Sequence, residues 1–159
     1  MQITYQQEPG GPDLVGKMLE EALPMFKAHY EEIAKFKDIP LDIDIDAYLR
    51  IEKIGRLRVF TVRDDGVLIG YAIFTVGPHP HYNGHIHAMQ DILYLKPEYR
   101  KGRIGQRLIS FSDEKLEREG VDVVFQHVKV YADFGGLLEM LGYEKMDTIW
   151  AKRLNKPDL

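Results

Sequence analysis

The sequence predicts an α/β domain built on a mixed sheet, and three observations carry that expectation. Segments with apolar residues at helical spacing alternate along the chain with segments of period two. Glycine and proline separate these segments one from the next, so helices and strands are interleaved and not gathered into blocks. The chain has 159 residues, 45% hydrophobic and 29% charged, the balance of a protein that folds as one domain. There is no internal repeat or low-complexity tract; one domain is expected over residues 1–154, with residues 155–159 (Asn155 to Leu159) as a polar tail.

The elements follow in order. A short strand at the start is ended by Pro9-Gly10-Gly11-Pro12. From Asp13, which reads as a helix N-cap, apolar residues recur at Leu14, Met18, Leu19, Ala22, Leu23 and Phe26, and Pro24 is expected to bend or break that helix. A second helix is expected from Asp46 to Ile54, stopped by Gly55. Leu57, Val59 and Thr61 then alternate with Arg58, Phe60 and Val62, which defines a strand, and Asp64-Asp65-Gly66 turns it into a second strand from Val67 to Val76. Residues 77–84 read as a loop, His85 to Leu95 as a strand closed by Pro97, and Arg103 onward as a helix ending at Gly120. Val121 to Phe125 reads as a buried strand and Asp133 to Leu141 as a helix ended by Gly142. Tyr143 to Leu154 reads as a strand or hairpin turning near Met146-Asp147.

Composition narrows the function. With no cysteine, disulfides, thiolate catalysis and cysteine-bound zinc are excluded. A net charge of −4, with no aromatics interleaved among the basic residues, argues against nucleic acid as partner. The first residues lack a basic stretch followed by an apolar core, and no run is long enough to span a bilayer, so a cytoplasmic protein is expected.

The chemistry concentrates where the strand ending at Leu95 turns through a basic, glycine-containing bend into a helix. The first N–H groups of a helix lack internal partners and sit at the positive end of its dipole, so such a bend can bind a phosphate. Gly102 and Gly105 let oxygens approach the backbone, and Arg100, Lys101, Arg103 and Arg107 supply cations within eight residues. A solvated helix face answering Glu114, Glu117 and Glu119 accounts for the same arginines about equally well. The spacing matches neither G-x-G-x-x-G nor a P-loop, which removes support from nicotinamide and nucleotide-hydrolysis chemistry.

The segment resembles motif A of the GNAT superfamily of acyl-CoA-dependent N-acyltransferases. Leu93, Leu95, Pro97 and Arg100 fill its first part, L-x-V-x-P-x-x-R. Arg100, Ile104 and Gly105 fill the second, with Arg103 where the first motif glycine usually stands. Leu137 to Tyr143 is similar to the family's L-Y-E-K-x-G-F, with Leu138 at the tyrosine position, and Asp133-Phe134-Gly135-Gly136 resembles members encoded by tailed phages.

The resemblance implies a three-layer fold with a mostly antiparallel sheet whose two middle parallel strands, His85 to Leu95 and Val121 to Val128, splay apart. In that gap acetyl-CoA would lie along Leu93, Tyr94 and Leu95 with its diphosphate on Arg100, Lys101, Gly102, Arg103, Ile104, Gly105 and Gln106. The implied activity is acetyl transfer to a primary amine in a ternary complex. Asp91 is then the candidate base, His127 a candidate for orienting substrate, and Tyr131 a candidate acid in place of Leu138. The leucine there also fits a noncatalytic module binding acyl-CoA or a protein. A homodimer is left open.

His79, His81, His85 and His87 are a separate group. They could hold a metal through imidazoles, though no carboxylate is closely interleaved and a hairpin connection explains them better. They are alternatively expected to line the acceptor pocket.

Overall fold

The computed structural model describes residues 1–156; residues 157–159 of the expected tail, and the side chain of Leu14, lie outside the described residues. Strand β1 (Ile3–Gln7) leads into helices α1 (Pro12–Ile33) and α2 (Ile45–Lys53), which precede strands β2 (Leu57–Asp64), β3 (Val67–His79) and β4 (Tyr82–Leu95). A 3-10 turn over Pro97–Tyr99 then leads to α3 (Ile104–Arg118), β5 (Val123–Phe125) and α4 (Gly135–Met140). The sheet runs in the order β1-β2-β3-β4-β5, antiparallel throughout except for the parallel β4–β5 pair, so β5 is an edge strand.

Alternation along β2 holds as the sequence predicts, and it builds a layer on each face of the sheet. Leu57 and Val59 join Val15, Met18, Leu19, Met25 and Phe26 of α1 in one core, against which Tyr48 and Leu49 of α2 also pack. Phe60 and Val62 join Phe74, Leu108 and Leu116 in the other, beneath α3. The β2–β3 turn has Asp65 at φ 48° and Gly66 at φ 84°, two successive left-handed residues of the kind that match strand twist.

Four elements differ from expectation. Helix α1 begins with Gly11 as N-cap and Pro12 in the first turn, where a missing N–H costs nothing, while Asp13 sits in the first turn facing the positive dipole end. It also runs through Pro24 without ending. Pro24 is exposed, and buried residues on both sides of it, Leu19 and Ala22 before and Met25 and Phe26 after, hold the helix to the sheet. Burying those side chains outweighs the roughly 3 kcal/mol a proline costs inside a helix. The hairpin joining β3 to β4 is tighter than expected, because both strands extend until only Pro80 and His81 remain between them. Strand β5 is shorter at both ends than the expected 121–128.

The largest difference is the C-terminal stretch. Residues 143–154 form no strand, and Ile149 and Trp150 stay 80% and 91% exposed. Strand-forming side chains need a neighbouring ladder to pack on, and among the described residues this stretch pairs with none. Its start is held by the Tyr143 hydroxyl donating to Asp113 of α3 at 2.6 Å, and its end by Arg153 pairing with Asp38, between α1 and α2, at 3.0 Å.

Candidate active site

Strands β4 and β5 are paired only from His87 opposite Val123 to Met89 opposite Phe125. Beyond that point they part and leave a gap along the second half of β4. Backbone direction explains what lines the gap. In the first half of β4 the Asp122 N–H donates to the Ile86 carbonyl, so even-numbered residues face β5. Opposite β3, Phe74 pairs with Gln90 and Ile73 with Ile92, which leaves Asp91 as the extra residue of a β-bulge. Past the bulge the Lys96 N–H donates to Ile69 of β3, so Ile92 and Tyr94 now face β3 and Leu93 and Leu95 turn their N–H and C=O groups into the gap. Tyr94 is therefore not brought to the gap. Its ring is buried on the α1 side, 4.9 Å from the His29 ring and 5.9 Å from that of Tyr71.

The bend after β4 leads into α3 with its donors open. Arg100 N–H donates to Pro97 and Arg107 N–H to Arg103, but the N–H groups of residues 101–106 have no backbone acceptor among the described residues. Gly102 has φ 101°, a conformation that disfavours any side chain with a Cβ. At Gly105 a Cβ would meet nothing closer than Leu95 Cδ2 at 3.7 Å, so the protein's own packing does not demand glycine there. Close approach by something else would. Lys101, Gly102 and Arg103 are exposed, while Ile104, Gly105 and Gln106 are partly covered.

Arg100 is turned elsewhere. Its Nε donates to the Leu95 carbonyl at 2.8 Å, its Nη2 lies 2.9 Å from both Glu32 oxygens, and its guanidinium covers the Tyr94 ring. The side chain thus fastens the end of β4 to the last turn of α1, where the sequence suggested a hold on phosphate. It also occupies one of the outward carbonyls of β4. Glu32 had no signature in the sequence that marked it as the partner.

Asp91 projects from the bulge, exposed, and its Oδ2 accepts a 2.5 Å hydrogen bond from the Tyr48 hydroxyl of α2. Burial of the Tyr48 ring, and then the carboxylate beside it, push that phenol well above its ordinary pKa, so it remains a donor. At the mouth of the gap Gln90 Oε1 accepts from the His127 N–H at 2.5 Å, which fixes the backbone of His127 two residues past β5. The Tyr131 hydroxyl donates to the Ile33 carbonyl at the end of α1 and is not directed into the gap. Leu138 is 6% exposed and anchors α4. Neither Tyr48 nor Gln90 stood out in the sequence, because each acts on a partner more than 35 residues away.

The histidines gather at the opposite end of the paired stretch. His79 lies 4.9 Å from His81 and 5.5 Å from His87, ring centre to ring centre, with Tyr82 and Phe125 against them. His85 instead points to Asp122, Nδ1 to carboxylate, at 3.3 Å. The cluster precedes the bulge on β4 and so does not line the gap. Among the described residues no group of three or more histidines or carboxylates is arranged to hold a metal ion.

A mixed sheet whose parallel strands part beside a bulge, with a donor-rich helix start at the end of the gap, is the arrangement that the motif resemblance implied for acyl-group transferases. The family model described as "Acetyltransferase (GNAT) family" matches residues 18–135, and the chain belongs to that family and is an acyltransferase.

The fold is shared with solved structures of low sequence identity. An aminoglycoside acetyltransferase from an uncultured soil metagenomic sample, in complex with sisomicin, superposes with a TM-score of 0.73 at 14% identity, over 96% of this chain and 97% of that one. A ribosomal-protein-alanine N-acetyltransferase from Brucella melitensis biovar Abortus 2308 gives 0.68 at 17%, over 97% and 100%. A predicted acetyltransferase with acetyl-CoA from Clostridium acetobutylicum gives 0.64 at 11%, over 96% of each chain. No curated protein matches by sequence.

Proposed function

We propose that this chain transfers the acetyl group of acetyl-CoA to a primary amine by direct attack in a ternary complex. The observation that carries the reading is the reversal of backbone direction at Asp91, which presents Leu93 and Leu95 to the gap beside the open donors of residues 101–106. These residues fit the donor molecule. Leu93 and the Leu95 N–H would pair with its extended amide arm as an added strand, and the N–H groups from Lys101 to Gln106 would take the diphosphate, with Lys101 and Arg103 adding charge. Acetyl-CoA supplies an activated acyl carbon with a good leaving group.

The chain's contribution is placement and proton handling. The Leu93 N–H polarises the thioester carbonyl and stabilises the oxygen as negative charge develops. Asp91 receives a proton from the attacking nitrogen, directly or through one water, as the carbon–nitrogen bond forms and the carbon–sulfur bond breaks. With Leu138 apolar and the Tyr131 hydroxyl engaged on α1, solvent protonates the departing thiolate. His127, held by Gln90 at the mouth, orients the incoming amine.

The test is release of free thiol from acetyl-CoA in the presence of sisomicin, glucosamine 6-phosphate, spermidine or an alanine-terminated peptide. Release with at least one amine is expected, and Asp91→Asn should slow it by about a hundredfold or more. A full rate in Asp91→Asn would remove Asp91 from the chemistry.

A further inference from the structure

The residue that directs the proposed base lies on a different element from it. A bulged residue is outside the ladder, so nothing in the sheet fixes where the Asp91 carboxylate points, and the residue is exposed. An exposed aspartate samples several rotamers, and a base in the wrong one contributes little. Here one oxygen is held. The Tyr48 hydroxyl reaches Oδ2 at 2.5 Å, and among the described residues no protein hydrogen bond goes to Oδ1.

The donor is itself well fixed. Tyr48 lies in the middle of α2, whose start is capped by Asp44 accepting from the Ala47 N–H at 2.9 Å, and its ring packs on the core beneath α1 together with Ile45, Leu49 and Ile51.

We propose that Tyr48 is a positioning residue for acetyl transfer, binding Asp91 Oδ2 so that Oδ1 faces the amine. This rests on the reading of Asp91 as base. In geometric terms, the α2 helix rather than the sheet sets the direction of proton transfer, and the contact spans 43 residues of sequence. Tyr48 itself gains and loses no proton in the reaction.

The test is a double-mutant cycle on kcat, read as thiol release with whichever of the four amines above reacts fastest. Tyr48→Phe keeps the ring and its packing and removes only the donor. It should lower kcat about tenfold and leave the KM for acetyl-CoA unchanged. Added to Asp91→Asn, the same substitution should change kcat by less than about twofold, since there is no longer a carboxylate to direct.

Equal losses in both backgrounds would assign Tyr48 a packing role and overturn the inference while leaving Asp91 as base. An undiminished kcat in Tyr48→Phe would overturn it as well. An undiminished rate in Asp91→Asn would remove the base reading and this inference with it, and no thiol release from any of the four amines would overturn both.

Discussion

The Arg100 guanidinium rests on the Leu95 carbonyl, on Glu32 and on the Tyr94 ring, so its removal acts first on how α1 meets the sheet. Arg100→Ala should lower the unfolding free energy by about 1 kcal/mol in urea titrations, because the ion pair with Glu32 and the hydrogen bond to the Leu95 carbonyl are both partly exposed. Gly105→Asp acts on the opposite side of the bend. It places a carboxylate where open N–H groups await an anion, and should weaken acetyl-CoA binding more than tenfold by calorimetry with little loss of fold.

His29 makes stability depend on pH. It is 8% exposed with Nδ1 unpartnered, and burial, opposed by Glu32 and aided by Arg100 and Lys129, lowers its pKa to about 4. Unfolded, the imidazole titrates near pH 6.5. Between about pH 6.5 and 4 the unfolded chain therefore holds a proton that the folded chain lacks, and stability falls as the pH is lowered through that window. Stability curves of the native chain and His29→Phe should diverge there with a slope approaching one proton, and parallel curves would show that His29 is free to charge in place.

Among the elements, α1 carries the clearest internal conflict. Pro24 leaves the Glu20 carbonyl without its helical donor on the exposed side, while the buried side is continuous. Pro24→Ala should raise stability by roughly 1–3 kcal/mol, seen as a higher melting temperature with unchanged acetyl-CoA affinity. Most element boundaries were legible because they depend on neighbours in sequence: Asp65-Gly66 at a turn, Gly55 after α2, Gly120 after α3. Pro24 misled because the packing that overrides it comes from β2 and β3, which lie more than 30 residues away. Residues 143–154 misled for the converse reason, since their pattern suits a strand but, among the described residues, no strand pairs with them. In the site, the bend and its open donors were readable as local chemistry. The partners of Arg100 and Asp91 were not, because Glu32 and Tyr48 meet them only through the fold.

Across the whole molecule, α1 and α2 cover one face of the sheet and α3 the other, and the gap opens where β5 leaves β4. A guest held between β4 and the start of α3 binds the folded chain and not the unfolded one, and so stabilises it by mass action. Acetyl-CoA at a hundredfold excess over its dissociation constant should therefore raise the unfolding free energy by about 2.7 kcal/mol, and in Gly105→Asp, with binding weakened more than tenfold, that gain should fall below about 1.4 kcal/mol at the same concentration. Differential scanning calorimetry of both proteins with and without the nucleotide checks this. The bulge has a consequence of another kind. The extra residue brings both the carboxylate and the local bend, so this segment is constrained in length as much as in composition. Loss of the Asp91 codon would close the bulge into regular alternation, with Leu93 and Leu95 still turned outward but the carboxylate and the local bend gone, whereas the same loss at Pro80 or His81 would only trim a hairpin tip.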